Sequence, residues 1–96
     1  MFLLRFSNRS ACYASKRLFE KAASDADRCV TLNPKWAKGY SRKGAALHGL
    51  EDFDGAIAAY EEGLKLEPGN AQCKKVHFLS RVGRSQRSQI YRVLKR

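Results

Sequence analysis

The chain has 96 residues, 44% of them hydrophobic, which gives room for one small domain with a thin core and argues against disorder throughout. Its formal net charge is +10. No apolar run approaches the roughly 18 residues needed to cross a bilayer, and Arg5 interrupts the opening MFLLRF, so neither a membrane span nor a signal peptide is expected.

Two segments of equal length follow one another along the chain. Shifting the sequence by 34 residues superimposes Phe6 on Tyr40, Arg9 on Lys43, Ser10 on Gly44, Phe19 on Phe53, Ala22 on Ala56, Val30 on Leu64, Leu32 on Leu66 and Pro34 on Pro68, without a gap. A fixed period of this length is the signature of a stacked helical repeat, in which small residues mark close helix approaches and bulky ones mark knobs. The first unit spans 1–34 (Phe2 to Pro34), with a turn at Ser15 to Arg17 between two helices of about 13 residues. Its second helix stops near Leu32, because the residue before a proline is pushed out of helical geometry. The second unit, 35–68, turns between Gly49 and Asp52. Its second helix carries Phe53, Ala56, Ile57, Tyr60 and Leu64 at steps of three and four, a single buried stripe ending near Leu66.

A third helix follows over 69–83, with Asn70 as N-cap and Val76, Leu79 and Val82 as its apolar stripe, in the place of a capping helix. Residues 84–96 read as an appended basic tail, disordered or a short helix with Ile90, Val93 and Leu94 beside Arg87, Arg92, Lys95 and Arg96. Charge divides at the same place: residues 1–67 hold eleven Lys/Arg and all nine acids, whereas 68–96 hold eight Lys/Arg and no acid. Cys12, Cys29 and Cys73 match no zinc or redox spacing and are expected as buried, reduced thiols.

The 34-residue period, the segments FSNRSACY and GYSRKGAAL, the recurring alanines and the closing NP and EP pairs resemble tetratricopeptide repeats. The resemblance implies an all-α fold of antiparallel helix-turn-helix units, two plus a capping helix, in a right-handed superhelical stack. More narrowly, SNRSACY, NPKWAKGYSRKGAAL and YEEGLKLEPGN look like the last two repeats of the N-terminal repeat domain of the Hop/Sti1 stress-inducible co-chaperones. That likeness implies a protein-interaction module that binds the acidic EEVD-type C-terminal peptide of Hsp70, or of Hsp90, in the cytoplasm. It also implies the site. Family members grip the two carboxylates of a terminal Asp with Lys, Arg and Asn from the first helix of each repeat, and the matching positions here are Asn8, Lys38 and Arg42. Lys38 and Arg42 lie one turn apart on one helix face, and Asn8 is the 34-residue equivalent of Arg42. Arg offers a fork, Lys a compact charge and Asn an uncharged donor. A further Lys and Asn come from an earlier repeat in the family. This chain has no such earlier repeat, so the expected clamp is partial.

Catalysis is not expected. His48 and His77 have no Cys or Asp at triad or metal spacing, GYSRKG lacks the closing Gly-Lys-Ser/Thr of a phosphate loop, and Glu61 and Glu62 sit on a helix surface. No cofactor, metal or small-molecule substrate is implied. The aromatics Phe6, Tyr13, Phe19, Trp36, Tyr40, Phe53 and Tyr60 fall at repeat positions and are assigned to packing, with Trp36 partly exposed at the unit junction. Two alternatives stand beside the peptide-binding reading: a basic nucleic-acid or membrane-surface adaptor acting through the tail, and a generic scaffold.

Overall fold

A computed structural model describes residues 2–94, and the side chains of all of these except Phe2, Gln72 and residues 87–93. The chain folds into five helices: α1 (Phe2–Ser15), α2 (Phe19–Leu32), α3 (Ala37–Gly49), α4 (Phe53–Leu66) and α5 (Ala71–Leu94). Each helix packs on the next in sequence. In addition α3 touches both α1 and α5, whereas α2 and α4 do not touch. The first helices of the units therefore form a closed layer and the second helices a splayed one. That difference bends the stack, with α1, α3 and α5 lining the concave side.

The 34-residue register is visible in backbone geometry as well as in side chains. Only Arg17 and Glu51 among the described non-glycine residues have positive φ, at 62° and 63°, and they are register equivalents. Each closes the tight turn between the helices of its unit in the left-handed conformation. The Asp52 side chain then accepts from Gly55 N at 3.1 Å to cap α4, and Asn70 caps α5 by accepting from Cys73 N at 3.1 Å.

Within each hairpin the helices approach through small residues. Ser10 donates to the Ala22 carbonyl at 2.8 Å, and its equivalent Gly44 lies under the Tyr60 ring, where an added Cβ would sit 2.6 Å from the ring carbons. Between units a glycine meets a cysteine at each joint, with the roles exchanged: Gly39 of α3 against Cys29 of α2, and Gly63 of α4 against Cys73 of α5. Polar contacts across the joints follow the same register. Lys43 reaches Asp27 at 3.1 Å across the first joint, and His77 reaches Glu61 at 3.3 Å across the second.

The fully buried residues are accordingly small. Ala22, Ala26, Cys29, Ala37, Ala46, Ala56 and Cys73 dominate the core. Of the seven aromatics assigned to packing, only Tyr60 is completely buried; the other six, Trp36 included, are partly buried. The Phe53–Tyr60 stripe of α4 faces inward as its spacing predicts. The stripe assigned to α5 does not. Leu79 and Val82 are exposed, as is Phe78, which occupies the register position of Ser10 and Gly44. Steps of three lose about 60° per step at 3.6 residues per turn, so a 76, 79, 82 series winds off the packed face. The buried face runs through Cys73, Val76, Ser80 and Gly83, whose steps alternate between three and four. Ser80 is held by His48 Nδ1 at 2.8 Å, and the His48 ring meets Phe53 edge-on at 5.3 Å.

The break expected at Gly83 is also absent: α5 continues to Leu94. Gly83 is a packing residue, because a Cβ there would meet the Phe53 ring at 2.7 Å. Arg84 then reaches Asp54 at 3.1 Å. The side chains of Arg87, Ile90, Arg92 and Val93, together with Lys95 and Arg96, lie outside the described residues.

The thiols also separate. Cys29 and Cys73 are buried as expected, whereas Cys12 is exposed because its face of α1 packs on neither α2 nor α3. Burial pushes the Cys29 thiol up, with Asp25 adding to the rise and Arg42 opposing it. Burial does the same for Cys73 and, more strongly, for the Tyr60 phenol.

Three outcomes test this packing. Gly44→Ala should destabilise the fold by about 1–3 kcal/mol through overpacking against Tyr60, whereas Gly69→Ala, with nothing within 4 Å of the added carbon, should change stability by less than about 0.5 kcal/mol; urea unfolding followed by circular dichroism measures both. A thiol-reactive disulfide reagent should titrate Cys12 at once and Cys29 and Cys73 only on unfolding. Acids held protonated in the fold lose stability as pH rises past their unfolded values, about 8.5 for thiols and 10 for tyrosine. Thermal melts should therefore fall from pH 8 to pH 11, with a shallower fall in Cys29→Ala/Cys73→Ala.

Candidate functional site

Five cationic side chains sit on α1 and α3: Arg5, Arg9, Lys38, Arg42 and Lys43. The fold uses two of them internally. Arg9 holds Asp25 of α2 through Nε and Nη2, both at 2.8 Å, and Asp25 is only 5% exposed in its side chain. Arg9 also lies over the Phe6 and Tyr13 rings, which Arg28 and Lys21 cover in turn. This cation and aromatic ladder joins α1 to α2 and commits the side edge of Arg9 to Asp25. Lys43 is committed to Asp27.

Lys38 and Arg42 are not committed to any carboxylate among the described residues. Lys38 is exposed on the first turn of α3 and Arg42, one turn on, is half-buried. Arg42 Nε donates to Ser7 Oγ of α1 at 3.3 Å, a contact that crosses from one unit to the next. Asn8, the residue after Ser7, is exposed, and its amide has no partner among the described residues. The three residues singled out from the sequence thus lie on α1 and α3, the two helices that meet on the concave layer, and the Arg42 to Ser7 bond crosses that layer beside Asn8. Of the three, Arg42 is hydrogen-bonded within the fold, and Asn8 and Lys38 have no side-chain partner among the described residues.

Ser7 was missed in the sequence, although a signal was present: FSNRS and YSRKG place Ser7 and Ser41 at the same register position, and both are buried. Two cavities open elsewhere. One of about 480 Å³ is lined by Phe6, Ser24, Asp27, Arg28, Thr31 and Leu32, and one of about 300 Å³ by Arg17 to Lys21 and Leu50. Neither includes Asn8, Lys38 or Arg42. Among the described residues no group of three or more His, Cys, Asp or Glu side chains is placed to hold a metal ion, and no helix is long and apolar enough to cross a membrane.

The sequence profile of the tetratricopeptide repeat matches residues 37–70. The heat shock protein sti1 homolog of Schizosaccharomyces pombe is 63% identical over 67 residues, 70% of this chain and 11% of that protein, so the chain spans about a tenth of that curated relative. Two solved structures share the fold. The first tetratricopeptide domain of Spaghetti (RPAP3), bound to the HSP90 peptide SRMEEVD, superimposes with a TM-score of 0.81 at 31% identity and covers 86% of this chain and 66% of that one. The second such domain of human RPAP3, in complex with the HSP70 peptide SGPTIEEVD, gives 0.79 at 28% identity, covering 82% and 66%.

Because Asp25 takes both side-on donors of Arg9, Asp25→Ala should lower the melting temperature by several degrees, which differential scanning fluorimetry would register. The same substitution should leave the far-UV spectrum helical, since the interhelical alanine and glycine contacts are untouched.

Proposed function

From a chain that belongs to the tetratricopeptide repeat family, we propose a co-chaperone-type module that captures the acidic C-terminus of Hsp70 or Hsp90 through Asn8, Lys38 and Arg42. The observation that carries this reading is the sorting of cations on α1 and α3: Arg9 and Lys43 are neutralised within the fold, while Lys38 and Arg42 keep their charge available beside Asn8. Both peptides held by the two related domains end in Glu-Glu-Val-Asp. A terminal Asp presents two carboxylates within one residue, and a Lys, an Arg fork and an amide offer the converging donors such a pair needs. The two hairpins (1–34 and 35–68) and the start of α5 as a cap act as one binding unit in the cytoplasm. The module binds and does no chemistry. The basic-adaptor reading is weaker, because Arg84 is spent on Asp54 and net charge alone supports the rest.

Fluorescence anisotropy with a labelled peptide ending in Glu-Glu-Val-Asp tests the reading. Charge-assisted hydrogen bonds contribute roughly 1.5–3 kcal/mol each, so an amidated C-terminus should weaken binding by about tenfold or more, and Lys38→Ala by a similar factor. Equal affinity for the free acid and the amide would overturn the clamp.

A further inference from the structure

The two arginines of α1 and α3 present different edges of the same group. Guanidinium has a side edge, made by Nε–H and the neighbouring amino group, and an end edge, made by the two amino groups. Arg9 uses its side edge, Nε and Nη2, on Asp25. Arg42 has its Nε taken by Ser7 Oγ at 3.3 Å, which occupies the side edge and leaves the end edge to meet a ligand. Ser7 is 0% exposed. A completely buried hydroxyl on the neighbouring helix is a fixed point, because water does not compete for it and α1 itself sets its position. Its register equivalent, Ser41, is also buried and opposes the rise of the Cys73 thiol of α5. The Val76 that stands at the register of Arg42 has no N–H to offer, so the hydroxyl-to-guanidinium contact occurs at the first joint alone among the described residues. This is also the joint that carries Asn8.

We propose that Ser7 is a positioning residue for the anion site: its buried hydroxyl holds Arg42 Nε so that the end edge of the guanidinium faces the groove beside Asn8. The proposal rests on the carboxylate-clamp reading for its ligand, while the Ser7 to Arg42 contact stands on geometry. Its chemical consequence is end-on, two-pronged contact with a carboxylate. A long side chain that would otherwise sample many rotamers is oriented before the ligand arrives, which reduces the ordering required on binding. Ser7 touches no ligand and acts through Arg42.

The test has one arm on the free protein and one on binding. In ¹H–¹⁵N spectra of the free chain, the Arg42 Nε–H signal, assigned by its loss in Arg42→Lys, should exchange slowly with water. Ser7→Ala should shift that signal and speed its exchange while the backbone amide spectrum and circular dichroism stay those of a folded chain. In anisotropy titrations with the free-acid peptide ending in Glu-Glu-Val-Asp, Ser7→Ala should weaken binding about three- to tenfold, the loss of one hydrogen bond. In an Arg42→Lys background the same change should have no further effect, since lysine has no Nε fork to orient. Undiminished affinity in Ser7→Ala, or an equal loss in both backgrounds, overturns the proposal. So does an Arg42 signal that is already fast-exchanging in the wild-type chain, a measurement that needs no variant of Ser7 to fold. If the wild-type chain binds the free acid and the amide alike, the clamp reading fails by itself, and the Arg42 signal still decides whether Ser7 holds the side chain.

Discussion

Everything in this fold depends on how closely neighbouring helices can approach, and that distance is set by side chains that are nearly absent. Gly44 admits Tyr60, Gly39 admits Cys29, and Gly63 admits Cys73. A core built from alanine, glycine and cysteine buries little area per residue, so hydrophobic transfer alone gives it modest stability. What it gains is proximity. Helices this close can exchange side-chain contacts such as Lys43 with Asp27 and Arg42 with Ser7 across joints that bulkier cores would hold apart. The proposed anion site depends on this packing, because α1 and α3 must be neighbours before donors on both can serve one ligand.

The concave shape has the same origin. First helices touch one another and second helices do not, so the layer that carries Asn8, Lys38 and Arg42 is the compressed one. An extended peptide laid along it meets donors from more than one helix within a few residues' length. The electrostatic arrangement runs alongside this geometry: acids on α2 offset the charge of Arg9 and Lys43, whereas Lys38 and Arg42 have no carboxylate partner among the described residues. Net positive charge in the sequence says little about binding until this internal accounting is done.

Much of the fold was legible because a repeat states each rule twice. The turns at Ser15 to Arg17 and Gly49 to Asp52, the ends at Leu32 and Leu66 and the α4 stripe all rest on residues that recur at 34. Where the repetition stops, the reading weakened. In α5 the register continues but the residue types depart from those of the hairpins, so the exposed Leu79 and Val82 stood in for Ser80 and Gly83, which pack against His48 and Phe53. Gly83 looked like a terminator because a glycine that admits a ring and a glycine that ends a helix are the same letter. Asn8, Lys38 and Arg42 were found through family resemblance; Ser7 was not, since a small hydroxyl carries no charge to draw attention and its role appears only when α1 and α3 are placed side by side.

Phe78 gives the array a direction. At its register position the two hairpins carry Ser10 and Gly44, residues small enough for a second helix to lie against the first. A phenyl ring 64% exposed at that point makes this face of α5 bulkier than the matching faces of α1 and α3. The surface that α5 turns outward at this point is therefore built differently from the one through which each first helix receives its partner, and the 34-residue rule changes its content there without changing its period.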